Sequence, residues 1–245
     1  MNGGINRRRF IGWCASCLAA GAGRRLWAGQ KPLSREYDRV RLVDPRGHPL
    51  RADALAPGVN YLFHYPYVTT PCFLINLGEP APGPDTLQTQ AGRSYRWRGG
   101  TGPGHSLVAF SAICSHRMTY PARSVSFINY RHRPTPFVNE DKTVVKRAHI
   151  IYCCSENSVY DAADGARVLG GPAPQPLAAI DLEYDSDTGQ LHATGTDGGE
   201  LFERFFDKFG FHLALEYGVS DIRQRVTGTA EVVRLDDYTR NQVLC

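Results

Sequence analysis

The sequence predicts a mostly β protein made of short antiparallel strands. Its apolar stretches are short and separated by turn residues, and its 245 residues include 25 glycines and 16 prolines. Only one stretch has the spacing of an amphipathic helix. With 42% hydrophobic and 21% charged residues, the composition is that of a globular chain. It excludes a collagen, a disordered tail and a polytopic membrane protein.

Strands are predicted wherever β-branched and aromatic residues cluster between turns. These stretches are residues 40–43, 61–63, 72–77, 107–113, 125–128, 143–152, 168–169, 179–184 and 190–194. The polar turn at 185–189 joins the last two strands as a hairpin. An arginine and aromatic mixture at 93–98 interrupts a proline- and glycine-rich connection, and we interpret it as an exposed loop edge.

One helix is predicted, over residues 200–209, and Gly210 is expected to end it. Its apolar side chains recur at helical spacing, which is typical of a face that packs against a core. They are Leu201, Phe202, Phe205, Phe206 and Phe209.

The basic charge of the chain is concentrated at its start. Residues 1–30 hold five arginines and no acidic residue, which leaves 23 basic and 24 acidic residues in the remainder, a formal charge of −1. A nucleic-acid partner is therefore not expected.

The first residues have the layout of an export signal. Arg7, Arg8 and Arg9 precede an uncharged run at 10–23, which is shorter than the ~20 residues that a helix needs to span a bilayer. This layout resembles a twin-arginine signal, so residues 1–29 are predicted to be an export signal or an uncleaved membrane anchor. The twin-arginine route carries folded proteins, commonly with their metal cofactor, into the periplasm.

Seven cysteines are an odd number for a fully paired set, and four of them lie close together in sequence as Cys14 with Cys17 and Cys153 with Cys154. This pattern indicates ligands or free thiols rather than a disulfide framework. No disulfide is required, and Cys245 is expected to be an exposed thiol.

Two predicted strands each end in a pair of candidate metal ligands. Cys114 and His116 follow the strand at 107–113, and Cys153 and Glu156 follow the strand at 143–152. Loops at neighbouring strand ends can converge on one metal centre, and thiolate with imidazole suits either zinc or a 2Fe-2S cluster.

The flanking residues resemble the Rieske iron-sulfur proteins. Residues 106–116 resemble the first cluster-binding loop of that family, 153–161 the second, and 164–177 the segment that ends in its proline loop. Residues 63–78 are similar to the small Rieske subunit of arsenite oxidase, an exported partner of a molybdenum subunit.

The resemblance implies an antiparallel β sandwich with a small cluster-binding subdomain. The Rieske-type domain then covers residues 38–200, with cluster-binding loops at 114–119 and 153–161 and a proline loop at 170–177. Residues 201–245 form a C-terminal extension that contains the short helix.

The family pattern also implies a ligand set. Cys114 and Cys153 would bind one iron, and His116 would bind the other. Glu156 stands where the family has its second histidine, so the second loop is degenerate, and Glu156 is the first candidate for the fourth ligand. The alternatives are Cys154, a histidine such as His149 or His132, or no cluster at all.

Further positions are implied around the cluster. The hydroxyls of Ser158 and Tyr160 would donate hydrogen bonds to cluster sulfurs, and Pro172 and Pro174 belong to the proline loop. Thr119 and Ser155 stand where the family has a pair of cysteines that clamp the loops with a disulfide, and 36 residues separate His116 from Cys153, more than is usual.

The leading hypothesis is a periplasmic Rieske-type electron-transfer subunit with an atypical 2Fe-2S cluster. It would relay single electrons between a larger redox-active subunit, such as a molybdenum-containing one, and a cytochrome, a soluble carrier or the quinone pool. It would serve an oxidoreductase complex rather than act as an enzyme alone. The alternatives are a cluster-free structural subunit of a respiratory complex and the quinol-oxidising subunit of a cytochrome bc complex.

Overall fold

The computed structural model describes residues 33–245, which form one compact unit. The predicted export signal, with Cys14 and Cys17, lies outside the described residues. Within residues 33–245, no helix is both long enough and apolar enough to cross a membrane.

The described chain is mostly β, as the sequence predicts. Its strands are β1 (Ser34–Val43), β2 (Tyr61–His64), β3 (Pro71–Asn76), β4 (Asp85–Gln88), β5 (Ser94–Trp97), β6 (Leu107–Ser111), β7 (Ile128–Arg131), β8 (Thr135–Val138), β9 (Val144–Arg147), β10 (Ile150–Cys153), β11 (Ser158–Asp161), β12 (Arg167–Gly170), β13 (Ala179–Tyr184), β14 (Leu191–Asp197), β15 (Thr229–Glu231) and β16 (Val233–Arg234). Its helices are α1 (Phe202–Tyr217) and α2 (Leu235–Tyr238).

The strands form one large sheet, one small sheet and two hairpins. The large sheet has the order β15-β1-β14-β13-β6-β3-β2-β16, and its neighbours are antiparallel except for β1 with β15. The small sheet has the order β12-β11-β10-β7, and β4-β5 and β8-β9 are separate hairpins.

Two hydrophobic cores lie on opposite faces of the large sheet. Phe73 and Ile75 of β3 face one core and Cys72 and Leu74 face the other, because successive side chains of a strand point to opposite sides. A strand buried on both faces is uniformly apolar, which is why 72–77 is easily predicted from sequence.

The first of these cores also attaches the small sheet to the large one. Phe110 of β6 shares it with Ile128, Ile151 and Tyr160, which come from β7, β10 and β11. The ends of β6 and β10 are therefore brought near each other, and these are the strand ends that carry the candidate ligands.

The helix α1 is longer than predicted. Gly210 does not end it; it lies inside the helix where a Cβ would come within 3.2 Å of the Ile222 side chain, so a small residue fits. The helix ends instead at Tyr217, and Gly218 follows it with a φ of 64°, a left-handed conformation that favours glycine at this position.

Two strand predictions are corrected. The stretch 143–152 is divided into β9 and β10, because His149 has a φ of 56° and interrupts the extended backbone. The strand predicted at 125–128 begins only at Ile128. Residues 93–98 are not an exposed loop edge: Tyr95 and Trp97 of β5 are buried in the core below that hairpin.

A pair of carboxylates is buried where β13 and β14 lie side by side. Asp181 and Asp197 are close enough to share a hydrogen bond, and Arg98 lies 3.7 Å from each. Burial, followed by repulsion from Asp197, raises the pKa of Asp181 to about 7. Asp181 also lines a cavity of about 330 Å³ between β13 and the β5–β6 connection.

This raised pKa predicts a pH-dependent effect of Asp181→Asn. When the pKa of a carboxyl group is higher in the folded than in the unfolded chain, the protein loses unfolding free energy as the pH rises from about 4 to about 7. The amide of Asp181→Asn does not ionise and so avoids this loss. The unfolding free energy of the variant, relative to that of the unsubstituted protein, should therefore be higher at pH 8 than at pH 5 by about 2 kcal/mol. Urea denaturation at both pH values measures it. Asp187→Asn, at an exposed turn, is the control, and an equal gain at both pH values for Asp181→Asn would contradict the account.

Candidate metal centre

The first candidate loop is a tight turn that follows β6. The N–H of Met118 donates to the carbonyl of Cys114, and the N–H of Cys114 donates to the carbonyl of Thr119, both at 2.8 Å. Cys114 is fully buried, whereas the side chain of His116 is 27% exposed. The turn therefore places a thiol inside the protein and an imidazole at its surface.

The second candidate loop connects β10 to β11. Cys153 is paired with Ser158 across the two strands, and Asn157 has a φ of 56° that closes the turn. Gly171 packs against this turn so closely that a Cβ would lie 2.1 Å from the carbonyl oxygen of Asn157. The segment after β12 therefore supports the loop only because residue 171 has no side chain.

The two loops bring their first cysteines together. Cys114 and Cys153 lie in the same buried core, and the interaction with Cys153 is the largest cause that lowers the pKa of Cys114, to about 6. The same contact raises the pKa of Cys153. The two cysteines thus form one buried pair from separate loops, which can supply two sulfur ligands.

Tyr160 is the main hydrogen-bonding partner of this site. Its hydroxyl oxygen lies 3.2 Å from the sulfur of Cys114 and accepts a 3.0 Å hydrogen bond from the N–H of Ser115. Burial raises the pKa of Tyr160 well above its ordinary value, so the group is present as a hydroxyl.

Ser115 connects the first loop to the segment at 170–177. Its hydroxyl donates a 2.7 Å hydrogen bond to the carbonyl of Gln175, and the Gln175 amide donates to the carbonyl of Gly199. Sequence reasoning missed both residues, because a bond from a serine to a backbone carbonyl leaves no pattern in the sequence.

Two buried polar atoms near the thiols have no hydrogen-bond partner among the described residues. They are Nδ1 of His116 and Oγ of Ser158. Buried polar atoms are nearly always paired, so both of these atoms are available to a group bound between the two loops. Oε2 of Glu156 lies 4.0 Å from Nδ1 of His116, and Oε1 of Glu156 lies 3.1 Å from Arg117.

The donors therefore occur as two pairs: Cys114 with Cys153, and His116 with Glu156. Within residues 33–245, no three His, Cys, Asp or Glu side chains meet around one point as a mononuclear metal site requires. A binuclear iron-sulfur cluster takes two protein ligands at each iron. The two pairs fit such a cluster in number. The two thiols and the imidazole are donors that these clusters use, and the carboxylate of Glu156 is the donor that departs from that set.

Cys154 is excluded as the fourth ligand, and the expectation that Cys245 is an exposed thiol is wrong. Cys154 is joined by a disulfide to Cys245, with their Cα atoms 5.6 Å apart. Adjacent residues leave a strand on opposite sides, so the side chain of Cys154 points away from that of Cys153 and meets the end of the chain. Cys245 is accordingly not a free thiol.

The histidine alternatives are also excluded by position. His149 precedes β10 and lies four residues before Cys153, which is about 13 Å along a strand. His149 and His132 both contact the hydroxyl of Tyr130, and His149 also lies 3.2 Å from Glu79. These residues form a polar cluster at the end of the small sheet opposite the thiols.

Pro172 and Pro174 are exposed. The described contact between their segment and the first loop is made by Gln175 and Ser115. A role of the two prolines in cofactor binding stays a prediction.

No protein-family model matches the chain. The structure is similar to the crystal structure of the soluble domain of the Rieske protein II (SoxF) from Sulfolobus acidocaldarius. The two chains are 25% identical, the TM-score is 0.44, and the match covers 65% of this chain and 78% of that chain.

The hydrogen bonds of Tyr160 predict the effect of Tyr160→Phe. The substitution leaves the buried N–H of Ser115 without its partner, which should lower the unfolding free energy by about 1–3 kcal/mol. Urea denaturation of the metal-free protein measures the loss. Tyr152→Phe is the matched control, because the hydroxyl of Tyr152 makes no hydrogen bond to any residue in the part of the chain that the structure describes. An equal loss in both variants would contradict the role assigned to Tyr160.

Proposed function

We propose that this chain is a Rieske-type electron-transfer subunit that binds one 2Fe-2S cluster. Cys114 and Cys153 would hold one iron, and His116 and Glu156 would hold the other. The observation that carries the proposal is the contact between two buried thiols from separate loops, next to an unpartnered imidazole nitrogen. When bound, the cluster would accept and release one electron at a time.

The surrounding residues are suited to hold the negative charge of such a centre. The hydroxyl of Tyr160 lies against the sulfur of Cys114, and the unpartnered hydroxyl of Ser158 is fully buried beside the same pair of loops. Hydroxyl groups aimed at cluster sulfurs raise the reduction potential, because they stabilise the added negative charge.

Glu156 is expected to lower the reduction potential. Two thiolates and two neutral imidazoles balance the +2 charge of an oxidised cluster core, whereas a carboxylate in place of one imidazole leaves the site at −1. Adding an electron to a site that is already negative costs more in a partly buried position. We therefore expect a lower potential than that of two-histidine centres.

Exposure favours electron transfer at the His116 end. The side chains of His116, Glu156 and Arg117 are 27%, 25% and 65% exposed, so a partner can approach this edge of the site. Cys114 and Cys153 are fully buried on the other side.

Location and partners form part of the same proposal. The Cys154–Cys245 disulfide favours an oxidising compartment, which agrees with a twin-arginine signal and the periplasm. The partners would be a larger oxidoreductase subunit, such as a molybdenum-containing one, and a cytochrome, soluble carrier or quinone pool. A cluster-free structural subunit and a quinol-oxidising subunit are the competing functions, and the measurements below separate them.

The first test is the iron and sulfide content of the protein produced with its own leader. We expect about two irons and two acid-labile sulfides per chain, and an EPR signal after reduction with dithionite. Cys114→Ser and Cys153→Ser should each lose the cluster. Cys72→Ser is the control, since Cys72 is also a buried free thiol but lies in the other core, beside the carbonyl of Tyr65. Folded protein without iron would support the structural subunit instead.

The second test concerns Glu156. Glu156→His should retain the cluster and raise its potential by on the order of 100 mV, because it restores the neutral imidazole. It should also add a second proton-coupled ionisation to the oxidised form. A redox titration at several pH values measures both changes, with Glu140→His at an exposed position as the control. An unchanged potential and an unchanged EPR spectrum would show that Glu156 is not a ligand.

A further inference from the structure

The last six residues form a strap along the segment that leads into β7. The N–H of Arg240 donates to Arg123, the N–H of Ser126 donates to Asn241, and the N–H of Val243 donates back to Ser126, at 2.8–2.9 Å. Residues 240–245, called here the C-terminal strap, therefore pair through backbone hydrogen bonds with residues 123–126, just before β7.

Buried side chains fix the strap to β7. Asn129 is fully buried, and its amide donates a 3.0 Å hydrogen bond to the carbonyl of Val243. Arg131 contacts the same carbonyl at 3.5 Å and the sulfur of Cys154 at 3.7 Å. These two residues face the strap because they alternate along one strand.

The disulfide joins the strap to the second candidate loop. Cys245 is linked to Cys154, the residue directly after the candidate ligand Cys153, across 91 residues of sequence. The N–H of Cys154 also donates a 2.7 Å hydrogen bond to the carbonyl of Phe127. The start of the loop is thus held to the strap by a covalent bond and to the segment before β7 by a backbone hydrogen bond.

Apart from the packing of Gly171 on Asn157 and the ion pair of Glu156 with Arg117, the rest of this loop has few contacts. Ser155 and Asn157 are exposed, and the turn is closed by a long hydrogen bond of 3.4 Å from Glu156 to Cys153. The first loop, in contrast, is supported by α1, where Glu216 accepts hydrogen bonds from Tyr120 and from the backbone of Arg123. Without the strap, the second loop would be the less constrained of the two.

We propose that the C-terminal strap and its disulfide are a clamp that positions Cys153 against Cys114. Cys154 and Cys245 act as positioning residues, since neither contacts the site itself. The consequence for a cluster rests on the proposed function, but the position of the thiol does not. The clamp would hold the second loop from outside the site, as the disulfide between the two loops holds both loops in Rieske proteins that contain it.

The test compares thiol reactivity in the metal-free, full-length protein. The double variant Cys154→Ser/Cys245→Ser removes the clamp and leaves no new thiol, and Leu244→Ser, an exposed neighbour in the strap, is the matched control. After timed exposure to N-ethylmaleimide, tryptic peptides 99–117 and 148–167 report the alkylation of Cys114 and Cys153 separately. The alkylation of Cys72 reports opening of the core on the other face of the large sheet.

We expect the alkylation rate of Cys153 to rise at least tenfold in the double variant, with Cys114 and Cys72 changed less than threefold and with Leu244→Ser like the unsubstituted protein. An unchanged rate at Cys153 would overturn the proposal. So would an equal rise at Cys72, because that result means general destabilisation rather than a local clamp.

A second comparison needs no substitution. Dithiothreitol reduces the disulfide, so that Cys154 and Cys245 become thiols and dithiothreitol is oxidised to its cyclic disulfide. The alkylation rate of Cys153 should then rise by the same factor as in the double variant. If iron binds to the unsubstituted protein, the double variant should also show a broadened EPR signal. If no iron binds, the alkylation result still decides the clamp, so failure of the proposed function and failure of the clamp are distinguishable.

Discussion

The contact between the buried thiols of Cys114 and Cys153 is the constraint on which the rest of the site depends. It exists because Phe110, Ile128, Ile151 and Tyr160 share one hydrophobic core that holds the small sheet against the large one. Two loops far apart in sequence are thereby fixed with their sulfurs together.

Each of the two loops has a separate support. The aromatic residues of α1 and the carboxylate of Glu216 hold the first loop, and the C-terminal strap holds the second. Both supports come from residues 201–245, where the sequence predicts a helix packed against a core at 200–209 and no role for residues 211–245. The tail of the chain is therefore part of the machinery that sets the geometry of the site.

The sequence predicts the strands of the cores well, because a strand buried on one or both faces has an unmistakable apolar pattern. It also predicts which loops carry Cys114, His116 and Cys153. It does not predict that Cys154 pairs with Cys245, since that pairing depends on where the last residue of the chain lies. The extent of α1 is mispredicted for a similar reason: the close approach of Ile222, which favours a small residue at Gly210 inside the helix, comes from another segment of the chain. Contacts between distant segments leave no local pattern to read.

The proposed function depends on a binuclear cluster that is bound by two unlike pairs of ligands. The Mössbauer spectrum of protein grown with ⁵⁷Fe tests it most directly. We expect two iron sites in equal amounts with different isomer shifts and quadrupole splittings, one bound by the two cysteines and the other by His116 and Glu156. A spectrum with two equivalent sulfur-ligated irons, or protein that folds without iron, would contradict it.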